Sequence, residues 1–370
     1  MEESGGAMRD PNARRTSAEL NFPAGSGEKL LAEAYSRSVT AAEEVDYSET
    51  IELCRAGMQA GVKGSGATYA RQLMAWAYNK RGEARSASGH EADALEDFEA
   101  AVSLDNTSWR ALHNRGVSYA GMGKAAEAVK DFSRTIEINR DFGLAYFNRG
   151  EMRNELGDYA TAIDDFNTAA RWLPGDPNVY NSRGHAHYRL REYKEAVADF
   201  NLSLKLDAGC VAALVNRGDV YADMSFYAEA AADYRRAIEA DPNLGRAYQS
   251  AAWLMATCPK KEFRNGSLAV AAAKQAIELD GAKDYRYLAT LAAANAADGK
   301  FDAAVAAQRE ALAAAPEKSR ATQEKRLALY EAKKPFIVAQ RDAQGRTGGE
   351  LRTAPQRSAT VVSGTTPQRR

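Results

Sequence analysis

Between residues 75 and 244, small and apolar residues recur in three registers that stay in phase. Glycines stand at Gly82, Gly116, Gly150, Gly184 and Gly218, 34 residues apart each time. Alanines keep the same interval at Ala94, Ala128, Ala162, Ala196 and Ala230. An aromatic ring follows each alanine four residues later, at Phe98, Phe132, Phe166, Phe200 and Tyr234. A fixed period of this length marks one supersecondary unit repeated and stacked. The units are 75–108, 109–142, 143–176, 177–210 and 211–244. Within each, positions 4, 8 and 11 share the spacing of one helix face, and positions 20, 24 and 27 repeat it. Turn signals such as "ELGDY" at 155–159 separate the two helices. Each unit therefore predicts a helix–turn–helix hairpin. A glycine inside a helix costs about 0.5–1 kcal/mol relative to alanine. Close approach of the two helices, with the position-24 ring filling the space beside them, is what offsets that cost.

Less regular pattern flanks the five units. Residues 245–284 place Ala252 at the glycine position and Ala269 at the alanine position, with about five extra residues in the turn around Pro259–Gly266. Residues 285–316 repeat the pattern through Ala292, Ala304 and Ala311. Upstream, 29–74 reads as a degenerate helical unit with Cys54 at the aromatic position, followed by the start of a longer helix. Residues 317–336 read as a charged amphipathic helix that covers the apolar face of the last hairpin. Residues 1–28 and 337–370 lack apolar periodicity and are expected to be disordered. Residues 341–370 hold six arginines against two acidic residues, a basic tail.

The period, the small residues and the aromatics resemble the tetratricopeptide repeat family. The resemblance covers about residues 29–316 and implies an all-α superhelical solenoid of antiparallel helix hairpins with a C-terminal capping helix. There are departures. Tyr78, Leu112, Tyr146, Tyr180, Leu214 and Tyr248 stand where the family often has tryptophan, and its late proline appears only at Pro174, Pro242 and Pro316. Position 7, usually leucine, is arginine at 81, 115, 149, 183 and 217. The resulting "NRG" is similar to a bacterial form of the repeat, and the C-terminal units resemble planctomycete-type proteins of the family.

Charge and chemistry narrow the functional classes. Formal net charge is −1, so no global basic field is available to hold a nucleic acid backbone. Three widely spaced cysteines do not form a disulfide framework and suit a reducing compartment. No apolar run is long enough to span a membrane. With no signal-peptide core at the start, the expectation is a cytoplasmic protein, or a secreted one if the true start lies upstream. No catalytic triad, phosphate loop, dinucleotide fingerprint or metal-ligand spacing occurs, so no catalytic residue, metal or cofactor is assigned. His113 and His185 fall at groove-facing positions by analogy with the family. An aspartate recurs at position 23, at 97, 131, 165, 199 and 233. With the position-7 arginines it reads as an intra-repeat ion pair, the alternative being a functional arginine row.

The resemblance implies a concave groove lined by first-helix positions 2, 5, 6, 9, 12 and 13. Position 6 reads Lys80, Asn114, Asn148, Ser182, Asn216 and Ser250. Asparagine amides both donate and accept, so such a row can hold an extended peptide backbone. This is similar to the asparagine ladder of the protein O-GlcNAc transferase repeats; the other reading is that "NRG" is a common variant. Phe147, Glu151, Tyr188, Asp219 and Trp253 complete the candidate groove, which leans acidic. The charge pattern does not match a chaperone-tail clamp. The function expected is a non-catalytic scaffold binding a protein or peptide partner. An accessory or substrate-recruiting subunit of an enzyme is the alternative, nucleic-acid binding a lesser one, and oligomeric state stays open.

Overall fold

The structure, a computed structural model, describes residues 26–282 and 284–339. Two compact units divide them at Pro174 and Gly175. The first holds α1 (Ser26–Thr40), α2 (Glu44–Gln59), α3 (Gly64–Ala87), α4 (Glu91–Leu104), α5 (Trp109–Gly121), α6 (Ala125–Ile138), α7 (Gly143–Leu156) and α8 (Tyr159–Trp172). The second holds α9 (Pro177–Arg189), α10 (Tyr193–Leu206), α11 (Val211–Asp223), α12 (Tyr227–Ala240), α13 (Gly245–Thr257), α14 (Gly266–Asp280), α15 (Tyr285–Ala297), α16 (Phe301–Ala314) and α17 (Glu317–Glu331). A single 3-10 turn, Lys261–Phe263, takes up the extra residues between α13 and α14. No strand occurs among the described residues. In each unit consecutive helices pair as hairpins, and each hairpin packs on the next in chain order.

The glycine at position 8 is set by the ring at position 24. A Cβ built on Gly150 would lie 2.7 Å from Cε1 of Phe166, well inside van der Waals contact. The same ring edge stands 2.6–2.9 Å from that point at Gly82, Gly116, Gly184 and Gly218. Where the ring is missing, the glycine is missing too. Ala252 faces Ala273, Ala292 faces Gln308, and Ser38 stands sixteen residues before Cys54, all of them buried. The absence of a Cβ at position 8 thus goes with a ring at position 24, and where no ring fills that space position 8 carries a side chain. The position-20 alanines, from Ala94 to Ala304, are wholly buried.

Each turn closes at position 15 in the left-handed region, at Gly89, Gly123 and Gly157. Arg191 and Ser225 hold the same place at φ 65° and 66°, a conformation that costs a side chain about 1–2 kcal/mol.

Both ends differ from expectation. α1 begins at Ser26, within the segment expected to be disordered; residues 1–25 and 340–370 lie outside the described residues. α17 stops at Glu331, short of 336, and reaches past the last hairpin: Tyr330 is wholly buried in a cluster with Trp253, Ala293 and Ala296. Val338, assigned to the tail, belongs to this packing, because it is held against α13.

Candidate functional site

The arginine at position 7 is committed inside its own hairpin. Arg149 donates from Nε and Nη2 to the two oxygens of Asp165 at 3.0 and 2.7 Å. The same two-bond fork joins Arg81 to Asp97, Arg115 to Asp131, Arg183 to Asp199 and Arg217 to Asp233. The carboxylates are buried and the guanidinium groups mostly so. Paired geometry of this kind gives charge-assisted bonds that offset desolvation. The hydrogen bonds to aspartate hold Arg81, Arg115, Arg183 and Arg217 above the ordinary arginine range. A tyrosine faces each guanidinium. It comes from position 4 at Tyr78, Tyr146 and Tyr180, 5.2–5.7 Å from the ring centre. Where position 4 is Leu112 or Leu214, Tyr119 or Tyr221 at position 11 replaces it at 5.7 Å. Where position 11 is instead Arg85 or Arg153, that residue adds a further bond to the same aspartate. The row is structural, and the reading as a functional arginine row falls away.

Positions 5 and 6 join neighbouring hairpins. Asn114 donates from its amide to Asn79 Oδ1 at 2.9 Å and Glu83 Oε1 at 3.1 Å. Asn148 donates to His113 Nε2 at 3.0 Å. Asn216 donates to Asn181 Oδ1 at 2.8 Å, and Gln249 to Thr290 Oγ1 at 2.8 Å. Each pair links position 5 of one unit to position 6 of the next. The first helices lie close enough side by side for these side chains to meet. His113 is buried against Phe132 and Phe142, and burial pushes its pKa down to about 4, so the imidazole is neutral.

The family model described as tetratricopeptide repeat matches residues 113–177 and 181–245. Those two stretches carry tetratricopeptide repeats. Within each compact unit the described residues form the all-α stack of helix hairpins typical of that repeat. No curated protein sequence matches the chain. Among solved structures, MamA from Desulfovibrio magneticus RS-1 is 16% identical, with 45% of this chain and 95% of that one covered and a TM-score of 0.43. YrrB, described as a TPR protein with an unusual peptide-binding site, is 21% identical, with 47% and 89% covered and a TM-score of 0.42. Yeast Tom70 is 16% identical, with 85% and 66% covered and a TM-score of 0.48.

The first-helix face of these tetratricopeptide repeats is unevenly open. Lys80, Asn114, Phe147 and Glu151 are half-buried, on α3, α5 and α7. Asn148, Ser182, Asn216, Ser250, Tyr188, Asp219 and Trp253 are buried. Position 6 reads either as a backbone-binding ladder or as a common variant of the repeat, and here the amides of Asn148 and Asn216 are buried and donate to the preceding repeat. A buried amide NH2 needs an acceptor, and the neighbouring repeat supplies one to each: His113 to Asn148 and Asn181 to Asn216. Asp219 accepts from Tyr234 Oη at 2.7 Å and from Arg246 at 3.3 Å. Tyr188 donates to Asp223 at 2.9 Å. The acidity of the face is likewise partly neutralised, with Lys80 donating to Glu83 at 2.8 Å.

Cys54 is buried and its thiol is pushed up to about 12, so it behaves as a small core residue. Among the described residues no cluster of histidine, cysteine and carboxylate is arranged to hold a metal, and no helix is long and apolar enough to cross a membrane. Trp253 is the residue whose setting was least foreseen. The guanidinium of Arg326 lies 4.7 Å from its ring centre, and Phe336 stands 5.9 Å away. The available signal was the run Pro335–Val338, a proline followed by three apolar residues inside a polar tail.

Proposed function

We propose that the protein is a non-catalytic scaffold that binds an extended segment of a partner protein across the first helices of its first three full repeats. The observation that carries this reading is the contrast in accessibility. Lys80, Glu83, Asn114, Val117, Phe147 and Glu151 are half-open on adjacent helices α3, α5 and α7. The equivalent positions on α11 and α13 are largely closed by internal bonds and by the C-terminal segment. Phe147 leans on Phe166, with ring centres 6.0 Å apart, and offers an apolar anchor between polar neighbours. Peptides selected from a random display library on the full chain test this. Phe147→Ala and Asn114→Ala should each weaken them several-fold, since one anchor or hydrogen bond contributes about 0.5–1.5 kcal/mol. Lys130→Ala, on an exposed second-helix position, should leave binding unchanged. Selected peptides indifferent to Phe147 and Asn114 would overturn the assignment.

A further inference from the structure

Beyond α17 the chain turns back at Lys333, φ 53°, and Pro335 prevents the helix from resuming. The following residues cross α13 without regular structure. Phe336 sits beside Trp253, and Arg326 lies 4.8 Å from the Phe336 ring centre and 4.7 Å from that of Trp253. Two residues on, the Val338 N–H donates to the carbonyl of Thr257 at 2.9 Å. That carbonyl belongs to the last turn of α13, where helix carbonyls have no partner within the helix. Trp253 and Thr257 are positions 9 and 13 of their repeat, on the face where the family resemblance puts a partner. The last repeats therefore already hold a segment without regular structure, through an aromatic anchor and a main-chain hydrogen bond. Lys333, Lys334 and Pro335 remain exposed, and Phe336, Ile337 and Val338 are only partly buried. A segment fastened so lightly opens at low free energy.

We propose that Pro335–Val338 is a displaceable internal ligand, and that the surface beneath it is a second peptide site. Its external ligand is an extended segment with an aromatic residue and a free backbone N–H two residues later. The aromatic enters beside Trp253 under the Arg326 cation, and the N–H satisfies Thr257. Aliphatic residues after the aromatic pack where Ile337 and Val338 do, and a proline at the donor position is excluded. The site lies on α13 and does not depend on the reading given for α3, α5 and α7. Occupation by the strap lowers the apparent affinity for the external segment by the fraction of time the site is open.

The test uses the full chain and a fluorescent peptide with the sequence of residues 333–340, followed by anisotropy. Wild type should bind it weakly. Phe336→Ser removes the strap's anchor and Val338→Pro removes its donor, so each should bind at least about tenfold more tightly. Adding Trp253→Ala to Phe336→Ser should abolish the gain, and N-methylation of the peptide's valine should prevent binding. Equal binding by wild type and both strap variants, no binding by any of them, or a gain that survives Trp253→Ala would each overturn the proposal. The strap lies outside the helices, so both variants should keep the far-ultraviolet circular dichroism of wild type; loss of that signal would make the strap a core element and overturn it equally.

Discussion

Replacing Gly150 by alanine adds one methyl group at the most crowded point of the third hairpin. Its Cβ would stand 2.7 Å from Cε1 of Phe166 and 3.0 Å from Cδ1 and Cζ. Comfortable carbon contacts begin near 3.5 Å, so the ring must retreat by roughly an ångström. Phe166 is wholly buried and has no room to swing. Overpacking of this kind costs about 1–3 kcal/mol, against which alanine's better helix propensity returns about 1. Gly121 provides the control. It is exposed, closes α5 and has nothing within 4 Å of its Cβ position, so alanine there should be neutral or stabilising by up to about 1 kcal/mol. Urea unfolding followed by circular dichroism should therefore separate the two variants by about 1–3 kcal/mol, with Gly150→Ala the less stable. Hydrogen exchange of α7 and α8 should report the same loss locally, because repeat arrays do not always unfold as one unit. A double-mutant cycle sharpens the argument: in a Phe166→Ala background the cost of Gly150→Ala should fall by at least about 1 kcal/mol. Equal stabilities for the two alanine variants, or strict additivity in the cycle, would refute the ring-against-glycine explanation.

Three further outcomes follow from the packing. Asn148→Ala and Asn216→Ala should each destabilise by about 1–3 kcal/mol in thermal or urea unfolding, because each leaves a buried partner unsatisfied; unchanged stability would mean the pairs at positions 5 and 6 carry no load. Arg191→Gly and Ser225→Gly relieve left-handed backbone at the turns and should each stabilise by up to about 1 kcal/mol, whereas a loss would show the strain is absent. His113 binds a proton less readily when folded, near 4, than its ordinary 6.5, so stability is complete above pH 6.5 and falls by up to about 3 kcal/mol as pH drops from there toward 4. His113→Asn, which copies position 5 of the first and fourth repeats, should flatten that part of the pH profile when unfolding is measured from pH 7 to 4.

Much of the fold was legible because the period constrains so many residues at once. Glycine, alanine and ring keep phase across five units, and each pair has the contact the spacing implies. The Arg–Asp forks were legible for the same reason, since two opposite charges recurring sixteen residues apart have one natural partner each. The face for partners was harder to read. Helical spacing assigns Asn148 and Asn216 to the first-helix face, but it does not say how closely the next first helix approaches. That approach turns the amides into inter-repeat bonds, with polar residues at position 5 — Asn79, His113 and Asn181 — answering asparagines at position 6 of the following repeat. The fate of Trp253 depended on a segment more than eighty residues away, which no local pattern connects to it.

Site-specific photo-crosslinking from inside the living cell tests the scaffold reading most directly. A benzophenone amino acid at Phe147 should capture extended segments of other proteins. The same group at Lys130, on the exposed side of α6, should capture little, and mass spectrometry of the adducts would identify both the segments and their register. Adducts concentrated at Phe147 and competed by the displayed peptides are the predicted result. Equal capture at the two positions, or capture at Lys130 alone, would contradict a partner bound across α3, α5 and α7.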